Sequence, residues 1–170
     1  MKNILFLYTL IVTNFFAVVS FASNAQDDFT LYLVRHAEKE QTRPDPKLTY
    51  CGQQRAQQLA TILRNVDIDS IYSTAYQRTL GTATPTAQSK SIAIKQYAPN
   101  GLEQLARELI SQRKSSLVVG HSNTTPQLVS ILTGQPVIKM TEQEYQHLFQ
   151  IKFVSGKATL TKLSQPLACN

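Results

Sequence analysis

The stretch SSLVVG at 115–120 is the tightest constraint on how this chain can fold. Successive side chains of a β-strand point to opposite faces, so the unbroken apolar run Leu117-Val118-Val119 must be covered on both sides. Such a strand belongs at the buried centre of a parallel sheet, with helices on either face. The rest of the chain agrees. FTLYLV (29–34), DSIYST (69–74) and SIAIKQY (91–97) read as further strands, rich in β-branched and aromatic residues. Between them lie segments of helical period. Ala56, Leu59, Ala60, Leu63 and Val66 share one face after Thr49, a fitting N-cap, and Leu102, Leu105, Leu109 and Ile110 share another.

The segment TAYQRTLGTATPTAQSK is expected to be a helix. Thr74 and Gln77 stand at capping-box spacing, and Pro85 should kink or split it. SNTTPQLVSILTG begins with the cap residues Ser122 and Asn123 and stops at Gly134. The last part, HLFQIKFVSGKATLTKL, suggests a hairpin turning at Ser155-Gly156. Alternation of this kind predicts an α/β fold of three layers, α/β/α, around a mainly parallel central sheet.

With 170 residues, 42% hydrophobic and 16% charged, the chain suits a single globular domain. Its net charge of +6 favours anionic partners. It has no run of five Lys or Arg, no zinc-finger spacing and no aromatic-basic RNA motif, which argues against nucleic acid. Residues 1–25 have one cation, Lys2, a long apolar run and small residues before an acidic start. That is the layout of a secretory signal peptide, cleaved after Ala25 or after Ala22. An uncleaved anchor is the alternative, opposed by Asn14 within the apolar run. The expected catalytic domain is then 26–170, secreted or periplasmic, without stable membrane insertion. An oxidising compartment would allow Cys51 and Cys169 to pair; two unpaired thiols are the alternative.

In parallel sheets, ligands gather at the carboxyl ends of strands. Three strands end in polar groups there: Arg35-His36, Ser73-Thr74 leading to Arg78, and Gly120-His121-Ser122-Asn123. Two arginines and two histidines at one crevice suit a phosphoryl group. Guanidinium forks bind its oxygens bidentately, helix N-termini add N–H groups, and a neutral imidazole can attack phosphorus.

These segments resemble the histidine phosphatase superfamily, in its phosphoglycerate mutase-like branch. LVRHAEK matches the family's opening Arg-His motif with Ala37 in place of its glycine, IYSTAYQRTLGTA matches the arginine-bearing helix, and LVVGHSNT matches the strand-terminal Gly-His. The resemblance implies that His36 is the nucleophile and becomes phosphohistidine. Arg35, Arg78 and His121 would hold the phosphoryl oxygens, and neither metal nor organic cofactor is implied. Ser122, Asn123 and Lys39 are further candidates for substrate contact, with Arg43 at the pocket mouth. His147 reads as structural or solvent-facing. A metal triad of His36, Glu38 and His121 is opposed by the charges of Arg35 and Arg78.

Many family members have an acid after the third strand to protonate the leaving oxygen. Here that region reads YAPNGLEQLA, so Glu103, Glu38 and Asp45 are the candidates. Without a good acid, acyl phosphates, phosphoramidates and aryl phosphates would be the favoured substrates. The expected function is an exported phosphatase acting on a phosphorylated small molecule, glycan or phosphoprotein. A non-catalytic anion-binding envelope protein and a phosphomutase are the alternatives.

Overall fold

The computed structural model describes residues 28–41, 44–136 and 139–166. The expected signal peptide, Arg43 and Cys169 lie outside the described residues. Cys51 is disulfide-bonded.

Ten elements alternate along the chain: β1 Phe29–Arg35, α1 Tyr50–Ile62, β2 Ser70–Ser73, α2 Gln77–Lys90, β3 Ile94–Gln96, α3 Leu102–Gln112, β4 Ser116–Gly120, α4 Thr124–Thr133, β5 His147–Val154 and β6 Lys157–Ser164. They build a six-stranded sheet in the order β3-β2-β4-β1-β5-β6. The first four of these strands are parallel, while β5 and β6 add antiparallel to β1 and to each other. The expected β5–β6 hairpin turns at Ser155 and Gly156, both at positive φ.

The unbroken apolar runs are covered on both faces, as the sequence requires. Leu31, Leu33 and Val118 pack with Leu102, Leu105 and Leu109 of α3 and with Leu128, Val129 and Leu132 of α4. Their neighbours Tyr32, Val34, Leu117 and Val119 meet Leu59 of α1, Leu63 just past its end, and Ala83 and Ala87 of α2. The fold is therefore α/β/α. Hydrophobic burial on this scale, roughly 1.5–3 kcal/mol for each large aliphatic side chain, offsets much of the entropy lost in ordering the backbone.

Three local expectations change. Pro85 does not split α2, which runs unbroken from Gln77 to Lys90. Proline deletes one backbone hydrogen bond, and the buried face of Thr82, Ala83, Thr86 and Ala87 keeps the helix packed. Thr74 does not cap α2: its first backbone N–H, from Gln77, donates instead to the Asp45 carboxylate at 3.0 Å. Ile110 is exposed, so the buried face of α3 is Leu102, Leu105, Ala106 and Leu109. Thr49 does cap α1, accepting from the Gly52 N–H.

Candidate active site

Arg35 ends β1, and the strand's pairing with β4 continues one residue further, through a 2.9 Å bond from the His36 N–H to the Gly120 carbonyl. His36 and His121 thereby leave adjacent strands at the same sheet edge, with ring centroids 5.6 Å apart. Both rings are largely buried. The His36 Nδ1 lies 2.8 Å from the Ala37 carbonyl oxygen. A carbonyl can only accept, so Nδ1 carries the proton and Nε2 of the neutral ring keeps its lone pair. Burial pushes the His36 pKa down to about 3, with the positive charges of Arg35 and Arg78 acting in the same direction. His121 is lowered to about 4, again by burial first and then by Arg78 and Arg35. Both rings are neutral near pH 7.

The segment between β4 and α4 is crowded. A Cβ on Gly120 would stand 2.8–2.9 Å from the hydroxyls of Thr125, Thr124 and Tyr97, so the residue before His121 has to be glycine. The Thr124 hydroxyl accepts from the His121 N–H, and the Thr74 hydroxyl lies 3.0 Å from His121 Nε2. Tyr76 meets the same ring edge-on at 5.2 Å. Arg78, in the first turn of α2, rests its guanidinium 4.4 Å over the Tyr76 ring and lies 3.4 Å from Asp45. Its Nε is buried with no hydrogen-bond partner among the described residues, as is that of Arg35.

A cleft of about 310 Å³ opens over these groups, lined by His36, Lys39, Tyr76, Arg78, His121, Ser122, Asn123 and Glu142 among others. Of the residues expected from the sequence, His36, Arg78, His121, Lys39, Ser122 and Asn123 all face it. Arg35 lies beneath, 1% exposed, and is wrapped by the loop before β5. It donates to the carbonyls of Thr141 and Glu144 and, at 2.8 Å, to the Glu142 carboxylate, while Tyr145 covers its guanidinium at 4.1 Å.

Ser122 and Asn123 make no side-chain cap for α4. Ser122 instead donates its hydroxyl to Glu142. His147 is buried at the start of β5 and bonds Glu144.

None of the three acids singled out in the sequence lines the cleft. Glu38 is held by Arg55 of α1 at 2.6–2.9 Å. Asp45 is committed to Gln77 and Arg78. Glu103 lines a separate depression between α3 and α4 with Arg107 and Ile131. The carboxylate that does reach the cleft, Glu142, sits in a loop with no strand-end or capping signal to mark it. Tyr76 was not among the expected site residues, although it stands within the Arg78 motif, whereas Thr74 was expected only as part of the polar strand end leading to Arg78.

The chain matches the histidine phosphatase superfamily (branch 1) over residues 31–99, a span that holds Arg35, His36 and Arg78. It is also 36% identical over 85 residues to a Schizosaccharomyces pombe protein described as a probable phosphatase, covering 45% of this chain and 30% of that one. Over residues 31–99 the chain is therefore similar to the histidine phosphatase superfamily. It thus spans under a third of that yeast relative.

Solved structures of similar fold include the protein histidine phosphatase SixA complexed with tungstate, at 16% identity and a TM-score of 0.67, covering 81% of this chain and 97% of that one. A phosphoserine phosphatase mutant from Entamoeba histolytica, in complex with phosphoserine, gives 18% identity and a TM-score of 0.63, covering 81% and 97%. At such identities the likeness is one of fold. The described residues have the phosphoglycerate mutase-like α/β/α architecture expected from the sequence.

Proposed function

We propose that this protein is an exported phosphatase that hydrolyses phosphomonoesters or phosphoramidates through a phosphohistidine at His36. The observation that carries the reading is the state of that ring. Its Nδ1 proton is held by the Ala37 carbonyl, and its Nε2 lone pair is available in a cleft shared with Arg78 and His121. Pure anion binding has no use for a neutral nucleophile among cations, whereas phosphoryl transfer needs one. A phosphoryl group in this cleft would meet Arg78 and His121 as its charge shifts in the transition state. Attack by Nε2 leaves phosphate on His36, and a water completes the hydrolysis.

Export is supported by the arrangement of residues 1–25 and by the disulfide at Cys51, a bond suited to an oxidising compartment. The same setting disfavours a cytosolic phosphomutase.

The mature protein is expected to release phosphate from p-nitrophenyl phosphate and, on acid quench with labelled substrate, to retain label on His36. His36→Ala should abolish both while leaving the thermal unfolding transition in place, because it removes the attacking atom rather than core packing. Full turnover by that variant would overturn the mechanism. Tight phosphate binding by the wild type without release would favour an anion-binding protein instead.

A further inference from the structure

A phosphatase acting on esters of ordinary alcohols must give a proton to the departing oxygen, since a free alkoxide is a poor leaving group. The acids considered from sequence are tied elsewhere. Among the described residues one carboxylate remains at the cleft, and its placement is specific. Glu142 accepts from the Ser122 hydroxyl through one oxygen and from Arg35 through the other, at 2.8 Å. It lines the phosphate-sized cleft with His36, Arg78 and His121. It also lines a second groove, of about 550 Å³, that adjoins the first at Ser122, Asn123 and Glu142 and continues over Pro126, Gln127, Lys139 and Met140. A phosphoryl group in the first cleft with its organic part in the second would have its bridging oxygen at the boundary, beside Glu142.

We propose that Glu142 is the proton donor to the leaving group, and then the base that activates water, so that phosphomonoesters of alcohols are substrates. The proposal rests on the phosphohistidine reading above. In the first step His36 Nε2 forms a bond to phosphorus as the bond to the leaving oxygen breaks. The electron pair of the broken bond stays on that oxygen, which takes the proton of the Glu142 carboxyl. In the second step a water oxygen bonds to phosphorus, the N–P electrons return to Nε2, and the water's proton passes to the Glu142 carboxylate. The sum is ester plus water giving alcohol plus phosphate, with the enzyme restored.

Charge governs the cycle. In the free protein the Ser122 hydroxyl, and then the Arg35 charge, hold the Glu142 pKa below its usual range, so the group is ionised. The groups around it are Arg35, His36 and Lys39 from β1 and the loop after it, His121 from the end of β4, and Lys139 across the second groove. A phosphoryl dianion in the cleft adds negative charge beside the carboxylate, which favours its protonated form, the form the first step needs.

Glu142→Gln tests this, because the amide keeps the size of the side chain and loses the exchangeable proton. The kcat/KM values of wild type and variant are compared on p-nitrophenyl phosphate, whose leaving group needs little help, and on β-glycerophosphate, whose leaving group needs a proton. This ratio excludes the later water step. The expected result is a loss on β-glycerophosphate that exceeds any loss on p-nitrophenyl phosphate by about 10²-fold or more. Label trapped on His36 from p-nitrophenyl phosphate should increase in the variant, since its phosphoenzyme lacks the base.

An equal loss on both esters would overturn the proposal, as would a gain on both, which would make Glu142 a plug on Arg35. A wild type that cleaves p-nitrophenyl phosphate but not β-glycerophosphate would also overturn it and leave the phosphohistidine reading standing. A wild type that cleaves neither and traps no label would remove both.

Discussion

At the scale of single residues, the site is organised by what burial does to two imidazoles. His36 and His121 titrate at about 3 and about 4 in the folded protein, against an ordinary value of 6.5. Between pH 6.5 and those values the unfolded chain binds more protons at these positions than the folded one. Folding stability contributed by the neutral rings is therefore complete above pH 6.5 and is lost as pH falls toward the folded values. The melting temperature should drop on going from pH 7 to pH 4.5, and His36→Asn should flatten that dependence by removing one of the two groups. An unchanged slope in the variant, measured by calorimetry, would show that the ring is not held neutral by its surroundings. The four residues with the clearest motifs were legible because each stands at a strand end or one helical turn beyond it. Glu142 was not, since its relation to Arg35 spans 107 residues of sequence.

At the scale of elements, the contact that positions His36 from below is between α1 and the segment leaving β1. Gly52, in the first turn of α1, lies so close to that segment that an added Cβ would be 2.1 Å from the Glu38 carbonyl oxygen. The obstacle is backbone, which has no rotamer to yield. The same junction is tied by Arg55 to the Glu38 carboxylate and by the Thr49 N–H to the Glu38 carbonyl. Gly52→Ala should therefore force α1 away from residues 36–38, costing about 1–3 kcal/mol as other overpacked sites do. Phosphatase rate should fall with it, because His36 is displaced too. A variant with wild-type melting temperature and rate would show that the junction yields freely. Helical periodicity located α1 and its cap at Thr49, since both are local signals. It was blind to the buried Arg55, whose charge is acceptable on an apolar face only because Glu38 comes to meet it.

At the scale of the whole molecule, the sheet places the parallel half of the fold, from β3 to β1, where all of its carboxyl ends feed one crevice. The β5–β6 hairpin extends the sheet on the other side, and the loop leading into it closes over Arg35. Among the described residues no helix is long and apolar enough to cross a membrane. The proposed export rests on the arrangement of residues 1–25 as an address. Protein recovered from the periplasm of a Gram-negative host should begin at Gln26, or at Ser23 if cleavage follows Ala22, as read by N-terminal sequencing. Recovery with Met1 intact and bound to the membrane fraction would instead indicate an anchor.

Layering, strand order of appearance and the cluster of Arg35, His36, Arg78 and His121 were written in the chain itself. They depend on periodicities of two and 3.6 residues and on the rule that parallel strands present their carboxyl ends together. Tertiary structure alone decided the placement of Glu142 at the cleft, the commitment of Glu38 and Asp45 to structural bonds, and the burial of Arg35 beneath the loop before β5. Each of these is set by competition among charged side chains far apart in sequence, and only the folded geometry settles which partner each one takes.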